Sequence, residues 1–286
     1  MLAMNDQASN LEKPATNAGR GYVLGVEAAE LQRLRRQQDT WAAETSEWVD
    51  KLQLEPGATV VDAGCGPGFV VPQLRDCVGA NGRVIAIDGE ERYLTELREA
   101  VERQSWNNVQ IEHTLLETCE LPEAVDGVFA RWMLTFPSDP GAIVARLAGW
   151  LKPGGRAVLV DYNHEGISLY PRSEGFVRVV ATMRKWFADR GGDAFVAGRI
   201  PEFLRAAGLE VESVDPVVRC GEPGSLIWAW AEEFFLYHSS AMVDQGLLSP
   251  AERENFAEEW NERRANPDSR FYTPIQVCFT ARRPLQ

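Results

Sequence analysis

The spacing of apolar and polar positions changes several times along the chain. From Val23 to Leu52, apolar residues recur at Leu31, Leu34, Trp41, Trp48 and Leu52 with charges between them, which predicts helix. Pro56-Gly57 ends that region. Short apolar runs then alternate with helical patterns. The runs predict strands at Thr59–Gly64, Arg83–Asp88, Asn108–Thr114, Gly127–Trp132 and Arg156–Tyr162, and the patterns between them predict helices at Val71–Val78, Arg92–Arg103 and Gly141–Leu151. Strict alternation predicts a parallel sheet with helices on both faces. After Tyr162 the rhythm changes. Residues 172–207 read as helical, broken at Gly191-Gly192 and Pro201. Leu209–Arg219 and Phe271–Arg282 read as two further strands. Pro216 interrupts the first and cannot donate to a ladder, so that strand is expected at an edge or bulged. Between the two strands lie helical stretches at 224–246 and 249–266. An insertion of about 50 residues is long enough to form a lid.

A chain of 286 residues has room for one large domain with an elaboration, or for two small ones. No apolar run approaches the roughly 18–20 residues of a membrane span. Met1–Arg20 lacks an apolar signal core and reads as a mobile tail, so a cytoplasmic protein is expected. The net charge of −13 disfavours a nucleic-acid backbone as partner. The basic clusters Arg33-Leu34-Arg35-Arg36 and Arg263-Arg264 sit among acids and read as solvated helix faces. Cys65, Cys77, Cys119, Cys220 and Cys278 are scattered and never form C-x-x-C, and His113, His164 and His238 add no ligand spacing. No metal site and no disulfide framework are expected.

The densest chemical signal is Val60-Val61-Asp62-Ala63-Gly64-Cys65-Gly66-Pro67-Gly68-Phe69. A buried strand runs into a glycine turn where a ligand can touch bare backbone. Phe69 breaks the dinucleotide fingerprint, and no Gly-Lys-Ser/Thr follows for a phosphate loop. The stretch resembles the first motif of the class I S-adenosylmethionine (SAM) methyltransferases. Asp88 ends the second strand, 20 residues past Gly68, where an acid can accept both hydroxyls of a ribose. Glu117-Thr118-Cys119-Glu120-Leu121-Pro122 resembles the family's Asp-Ala-x-x-Leu-Pro segment, with Glu117 and Thr118 replacing the usual residues. Asp126–Leu134 resembles the fourth strand and its exit. Leu151-Lys152-Pro153-Gly154-Gly155-Arg156 resembles the approach to the fifth and reads as a helix stop and turn. The Asn/Asp-Pro-Pro-aromatic motif of adenine- and glutamine-modifying branches is absent. Upstream, Tyr22-Val23-Leu24-Gly25 and Glu30–Gln37 are similar to the cap of small-molecule members, and Arg33 and Gln37 share a helix face.

The resemblance implies an α/β, Rossmann-like, seven-stranded, mostly parallel sheet with the last strand antiparallel and helices on both faces. It implies a tail at 1–20, a helical cap at 21–53, a SAM-binding core at 54–221, a helical lid at 222–270 and a final core strand at 271–286. The implied activity moves a methyl group from SAM to an oxygen, nitrogen or carbon nucleophile of a small molecule, plausibly a specialised metabolite, leaving S-adenosyl-L-homocysteine (SAH). A SAM-binding protein that transfers nothing is the alternative. The residues expected at the cofactor are Tyr22, Gln37, Asp62, Gly64, Cys65, Gly66, Gly68, Asp88, Gly89, Glu117, Thr118 and Arg131. Gln37 is expected on its carboxylate, and Tyr22 near its methyl group. Candidates for proton chemistry are His164, Tyr22 and His238, with Glu232 behind them. Trp228, Phe234, Phe235 and Tyr237 are expected to line a pocket for a partly apolar or aromatic acceptor. Asp193 and Arg199 match a family run without a role. No nucleic-acid partner and no membrane span are expected, and helical caps could pair in a homo-oligomer.

Overall fold

The computed structural model describes residues 28–285 of the chain. Two helices lead, α1 (Ala28–Thr40) and α2 (Ala42–Asp50), separated at Trp41, whose backbone leaves helical geometry. The α/β alternation follows: β1 (Thr59–Ala63), α3 (Val71–Val78), β2 (Arg83–Asp88), α4 (Glu91–Arg103), β3 (Val109–His113), β4 (Val125–Arg131), α5 (Pro140–Trp150) and β5 (Leu151–Asn163). Then come β6 (Ser168–Tyr170), α6 (Glu174–Asp189), α7 (Ile200–Ala206), β7 (Glu210–Val217), β8 (Cys220–Gly221), α8 (Leu226–Asp244), α9 (Pro250–Ala265), β9 (Arg270–Tyr272) and β10 (Ile275–Arg282).

The main sheet has seven strands in the order β3-β2-β1-β4-β5-β10-β7. β1 to β5 are parallel, and β10 runs antiparallel to both β5 and β7. This is the fold class expected from the sequence. Neighbours along a strand point to opposite faces, so Val60 and Val61, or Val84 and Ile85, enter different cores. One core lies under α5 and α7 through Ile143, Leu147, Ile200 and Leu204. The other joins α2 and α3 to the helices α6, α8 and α9, whose Phe176, Trp228, Phe235, Phe256 and Trp260 form one aromatic mass with Phe271. Ser173, Ser225 and Ser249 cap these three helices, and Ser249 forms a full capping box with Glu252. Among the described residues no helix is long and apolar enough to cross a membrane.

Three details differ from the sequence reading. The Lys152–Gly155 turn is absorbed into β5 as a bulge, because Leu151 already pairs with Val125 before Arg156 resumes with Gly127. The last predicted strand breaks at Thr273-Pro274 into β9 and β10. β9 leaves the main sheet and joins β6 and β8 in a small antiparallel sheet. Pro216 sits on β7, the edge strand, where a missing N–H is tolerated.

Candidate functional site

The carboxyl ends of β1, β2, β4 and β5 open into a cavity of about 1170 Å³, covered by α1 and α8. Its floor at β1 is the glycine turn. Gly64 and Cys65 donate their N–H groups to the carbonyl of Ile87, pinning the loop to β2. All three glycines have positive φ, but they do different work. A Cβ on Gly66 would meet nothing within 4 Å and would enter the cavity. A Cβ on Gly64 would lie 3.0 Å from Met133 Cβ. At Gly68 it would lie 2.4 Å from Leu97 Cδ1 on α4. Gly68, expected at the cofactor, therefore faces the core and does not line the cavity.

Asp88 fixes this turn from β2. Its Oδ2 accepts from the Gly66 N–H at 2.7 Å and its Oδ1 from the Glu90 N–H at 2.8 Å. Burial raises its pKa, and these backbone bonds work against the rise. Asp62 is 3% exposed, and among the described residues its Oδ2 has no partner. Burial lifts Asp62 to about 7, against the pull of Arg131. A buried, unpaired carboxylate oxygen on a cavity wall fits a cationic group, such as the ammonium of a bound amino acid. Arg131 lies over the Trp132 ring at 4.2 Å and donates to Thr45 Oγ1 and Gln38 Oε1, which tie α1 and α2 to β4. Burial lowers its pKa to about 10. Cys65 also lines the cavity, its thiol pushed well up by burial. At the rim stand Gly89 and the exposed Glu117 and Thr118, with Leu115 beside them 59% exposed. The acid at the end of β2, the open Gly66 and the orphaned Asp62 oxygen together fit a nucleoside-linked amino acid such as SAM.

The other end of the cavity is aromatic. Trp132 and Tyr162 stack at 5.7 Å, Phe136 and Phe187 meet edge-on at 5.9 Å, and α8 adds Trp230, Phe234 and Phe235. Trp132 leaves β4 with φ +59, a conformation that strains a residue with a side chain by about 1–3 kcal/mol. It is held there by its N–H on the Val160 carbonyl and its Nε1–H on Gln276 Oε1, both 2.8 Å. Buried Asp161, raised to about 7 by desolvation, accepts from the N–H groups of Leu134 and Tyr162 and so shapes the exits of β4 and β5.

His164 lies in this chamber, edge-on to Tyr162 and Phe187. Among the described residues its Nδ1 has no partner and no carboxylate stands behind the ring, and burial, aided by Arg184, lowers its pKa to about 3 and keeps it neutral. Gln37 lines the cavity too, but its groups are committed. Its Oε1 accepts from Arg33 Nη1 at 2.7 Å and Trp230 Nε1 at 3.3 Å, and its Nε2 donates to the Tyr162 hydroxyl at 3.2 Å. Arg33 is in turn paired with buried Glu30.

Several expected residues stand elsewhere. His238 is fully buried behind the wall, its ring 4.5 Å from that of Phe234, with neither ring nitrogen partnered among the described residues, and desolvation keeps it neutral. It does not line the cavity and cannot reach an acceptor there. Glu232 pairs outward with Arg264, and Trp228 packs on Trp260 at 5.0 Å between α8 and α9. Tyr237 lies against His238, away from the lining. Asp193 pairs with Arg199 at 3.3 Å and caps a loop turn through Phe195 N–H. Tyr22 lies outside the described residues. The chamber residues missed from the sequence were marked only by aromaticity, Trp132, Phe136 and Tyr162 near the exits of β4 and β5 and Phe187 in the last turn of α6.

Residues 60–155 match the family model described as a methyltransferase domain. An uncharacterized 37.1 kDa protein in transposon TN4556 of Streptomyces fradiae is 30% identical over 59% of the chain and 48% of its own length. Phosphoethanolamine N-methyltransferase 1 of Triticum aestivum is 28% identical over 58% of the chain and 35% of its own length. The chain thus spans less than half the length of these curated relatives. A SAM-dependent methyltransferase structure from Aquifex aeolicus superposes with a TM-score of 0.52 at 23% identity, over 66% of the chain and 92% of its own. Residues 60–155 are thus similar to a methyltransferase domain, and the strand order around them is a fold shared with a SAM-dependent methyltransferase structure.

Proposed function

We propose that the protein transfers a methyl group from SAM to a small molecule with an apolar or aromatic body. The observation that carries this reading is one cavity with two chemically different ends, acidic at β1–β2 and aromatic at β4–β5. Its volume of about 1170 Å³ exceeds the roughly 300–1,000 Å³ of single-ligand pockets, which leaves room for cofactor and acceptor together. The Triticum aestivum relative is named for a small-molecule acceptor, phosphoethanolamine, which supports the class of substrate and not its identity.

Asp88, Asp62 and the Gly66 backbone are the residues assigned to hold SAM, with Glu117 and Thr118 at its outer rim. When bound, SAM supplies an electrophilic sulfonium methyl. The chain's own contribution is position and dryness. Trp132, Tyr162, Phe187 and Phe234 sandwich an apolar acceptor and exclude water, and alignment of reacting groups is the main source of acceleration. His164 orients the acceptor as a neutral hydrogen-bonding ring. With its conjugate acid at about 3 it is a weak proton acceptor, so the acceptor's nucleophile must be reactive without a strong base.

Isothermal titration with SAM and SAH is the first test, and absence of binding by both refutes the reading. The second is transfer of labelled methyl from SAM into metabolite extracts. SAH binding without any transfer would instead mark a SAM-binding protein without methylating activity.

A further inference from the structure

The cavity opens at two ends built from different elements. Exposed Leu115, Glu117 and Thr118 rim the first, beside β2 and β3. Exposed Ser138, Asp189, Arg190 and Gln245 rim the second, where the ends of α6 and α8 meet the loop between β4 and α5. The two sides of this second mouth are in contact: Arg190 Nη2 donates to Gln245 Oε1 at 2.7 Å, and a Cβ on Gly191 would stand 3.0 Å from Ser138 Cβ. Buried His164 and Phe187 also line the cavity.

The charges at the two mouths differ. Asp62, Asp88, Glu90 and Glu117 line the first end. They attract a cation and repel an anion. At the second mouth Asp189 is already neutralised, its two oxygens 2.7 and 2.8 Å from Lys185 Nζ. Arg190 beside it lies 5.2 Å over the Trp186 ring and makes its hydrogen bond to a neutral amide. The other two arginines of the lining differ: Arg33 is paired with Glu30, and Arg131 is buried on Thr45 and Gln38. Among the described residues, Arg190 is the cavity's one arginine exposed at a mouth. A planar guanidinium with N–H groups facing solvent, at the end of an aromatic throat, matches a carboxylate, sulfonate or phosphate.

We propose that the acceptor carries an anionic group at the end remote from its methylated atom, that Arg190 holds this group at the second mouth, and that the acceptor enters there. The inference rests on the methyl-transfer reading above. It deepens it by assigning the acceptor a charge, an orientation and an entrance separate from that of the cofactor.

The test uses two probes with nearly the same body and different charge, 8-anilinonaphthalene-1-sulfonate and neutral N-phenyl-1-naphthylamine. Each is titrated by fluorescence against the full chain saturated with SAH, in the wild type and in Arg190→Gln. The expected result is a sulfonate probe that binds the wild type and weakens about tenfold in the variant, as loss of a charge-assisted hydrogen bond requires. The neutral probe and the thermal midpoint should not move. A purely structural role for Arg190 would move both probes or the midpoint. Equal weakening of the probes, no weakening of the sulfonate, or no binding of it to the wild type overturns the proposal. SAH titration of both proteins separates the two readings: failure of SAH to bind the wild type removes the methyltransferase function, while normal SAH binding with no charge discrimination removes this inference alone.

Discussion

Gly66 and Gly68 look equivalent in the sequence, and the fold makes opposite predictions for them. Alanine at either must adopt positive φ, at about 1–2 kcal/mol. For Gly66→Ala that is the whole loss of stability, because its new methyl enters open space. For Gly68→Ala the methyl would sit 2.4 Å from Leu97 Cδ1, and Leu97 is fully buried in the core. Overpacking of that kind adds about 1–3 kcal/mol, giving a total of ~2–5 kcal/mol. Chemical denaturation of the ligand-free variants measures both. SAH titration should rank them the other way, with Gly66→Ala weakening binding more than Gly68→Ala. A double-mutant cycle with Leu97→Ala isolates the clash: Gly68→Ala should cost less in that background, by the overpacking share. Additivity in the cycle, or equal destabilisation by the two alanines, refutes the division of labour.

Asp88→Ala removes the acceptor for two backbone N–H groups and should weaken SAH binding by about 1–3 kcal/mol in titration. Asp62 has an ordinary pKa of 3.8 and about 7 in the fold, so the folded state binds the extra proton and stability falls as pH rises from 3.8 through about 7. Asp62→Asn should reduce the fall of the thermal midpoint across that window, leaving the share of Asp161, which burial also raises to about 7, and an unchanged slope would contradict the assignment. Because a bound ammonium favours ionised Asp62, wild-type SAH affinity should rise as pH rises through about 7, with proton release visible as buffer-dependent heat. His164 should give no inflection in the rate between about pH 5 and 9; one that vanishes in His164→Gln would show that it holds a proton after all. Its lowered pKa also means that stability present above pH 6.5 is lost as pH falls towards about 3, measurable as a smaller acid loss in the same variant.

The sheet was legible because its strands are long enough for apolar runs and turns to mark them. The place of Asp62, Gly66 and Asp88 in the cavity wall was legible because strand ends and a glycine turn mark it locally. The small sheet was not: β6 and β9 have three residues and β8 two, too few for any period to register. Gly68 stands against α4 and not in the lining, because a glycine turn does not say which glycine opens on a cavity and which meets a helix. His238 and Trp228 were placed at the pocket because α8 is apolar nearly all round, and such a helix does not announce which face is the wall. Gln37 shares the intended face, but its commitment to Tyr162 and Trp230 spans 125 and 193 residues of chain. No local pattern carries that.

The position of β10 has a bearing on how the chamber is made. Residues 275–282 leave the ribosome after α8 and α9, yet they lie between β5 and β7 in the sheet. Until they emerge, β5 has one bare edge and β7 has no neighbour in the main sheet, a template for wrong pairing. Trp132 also waits for them, since Gln276 holds its indole. A chain ended before Ile275 would keep every residue of the glycine turn and both helices α8 and α9. It would lose the strand that joins β5 to β7, and with it the amide of Gln276 that fixes the Trp132 indole in the chamber wall.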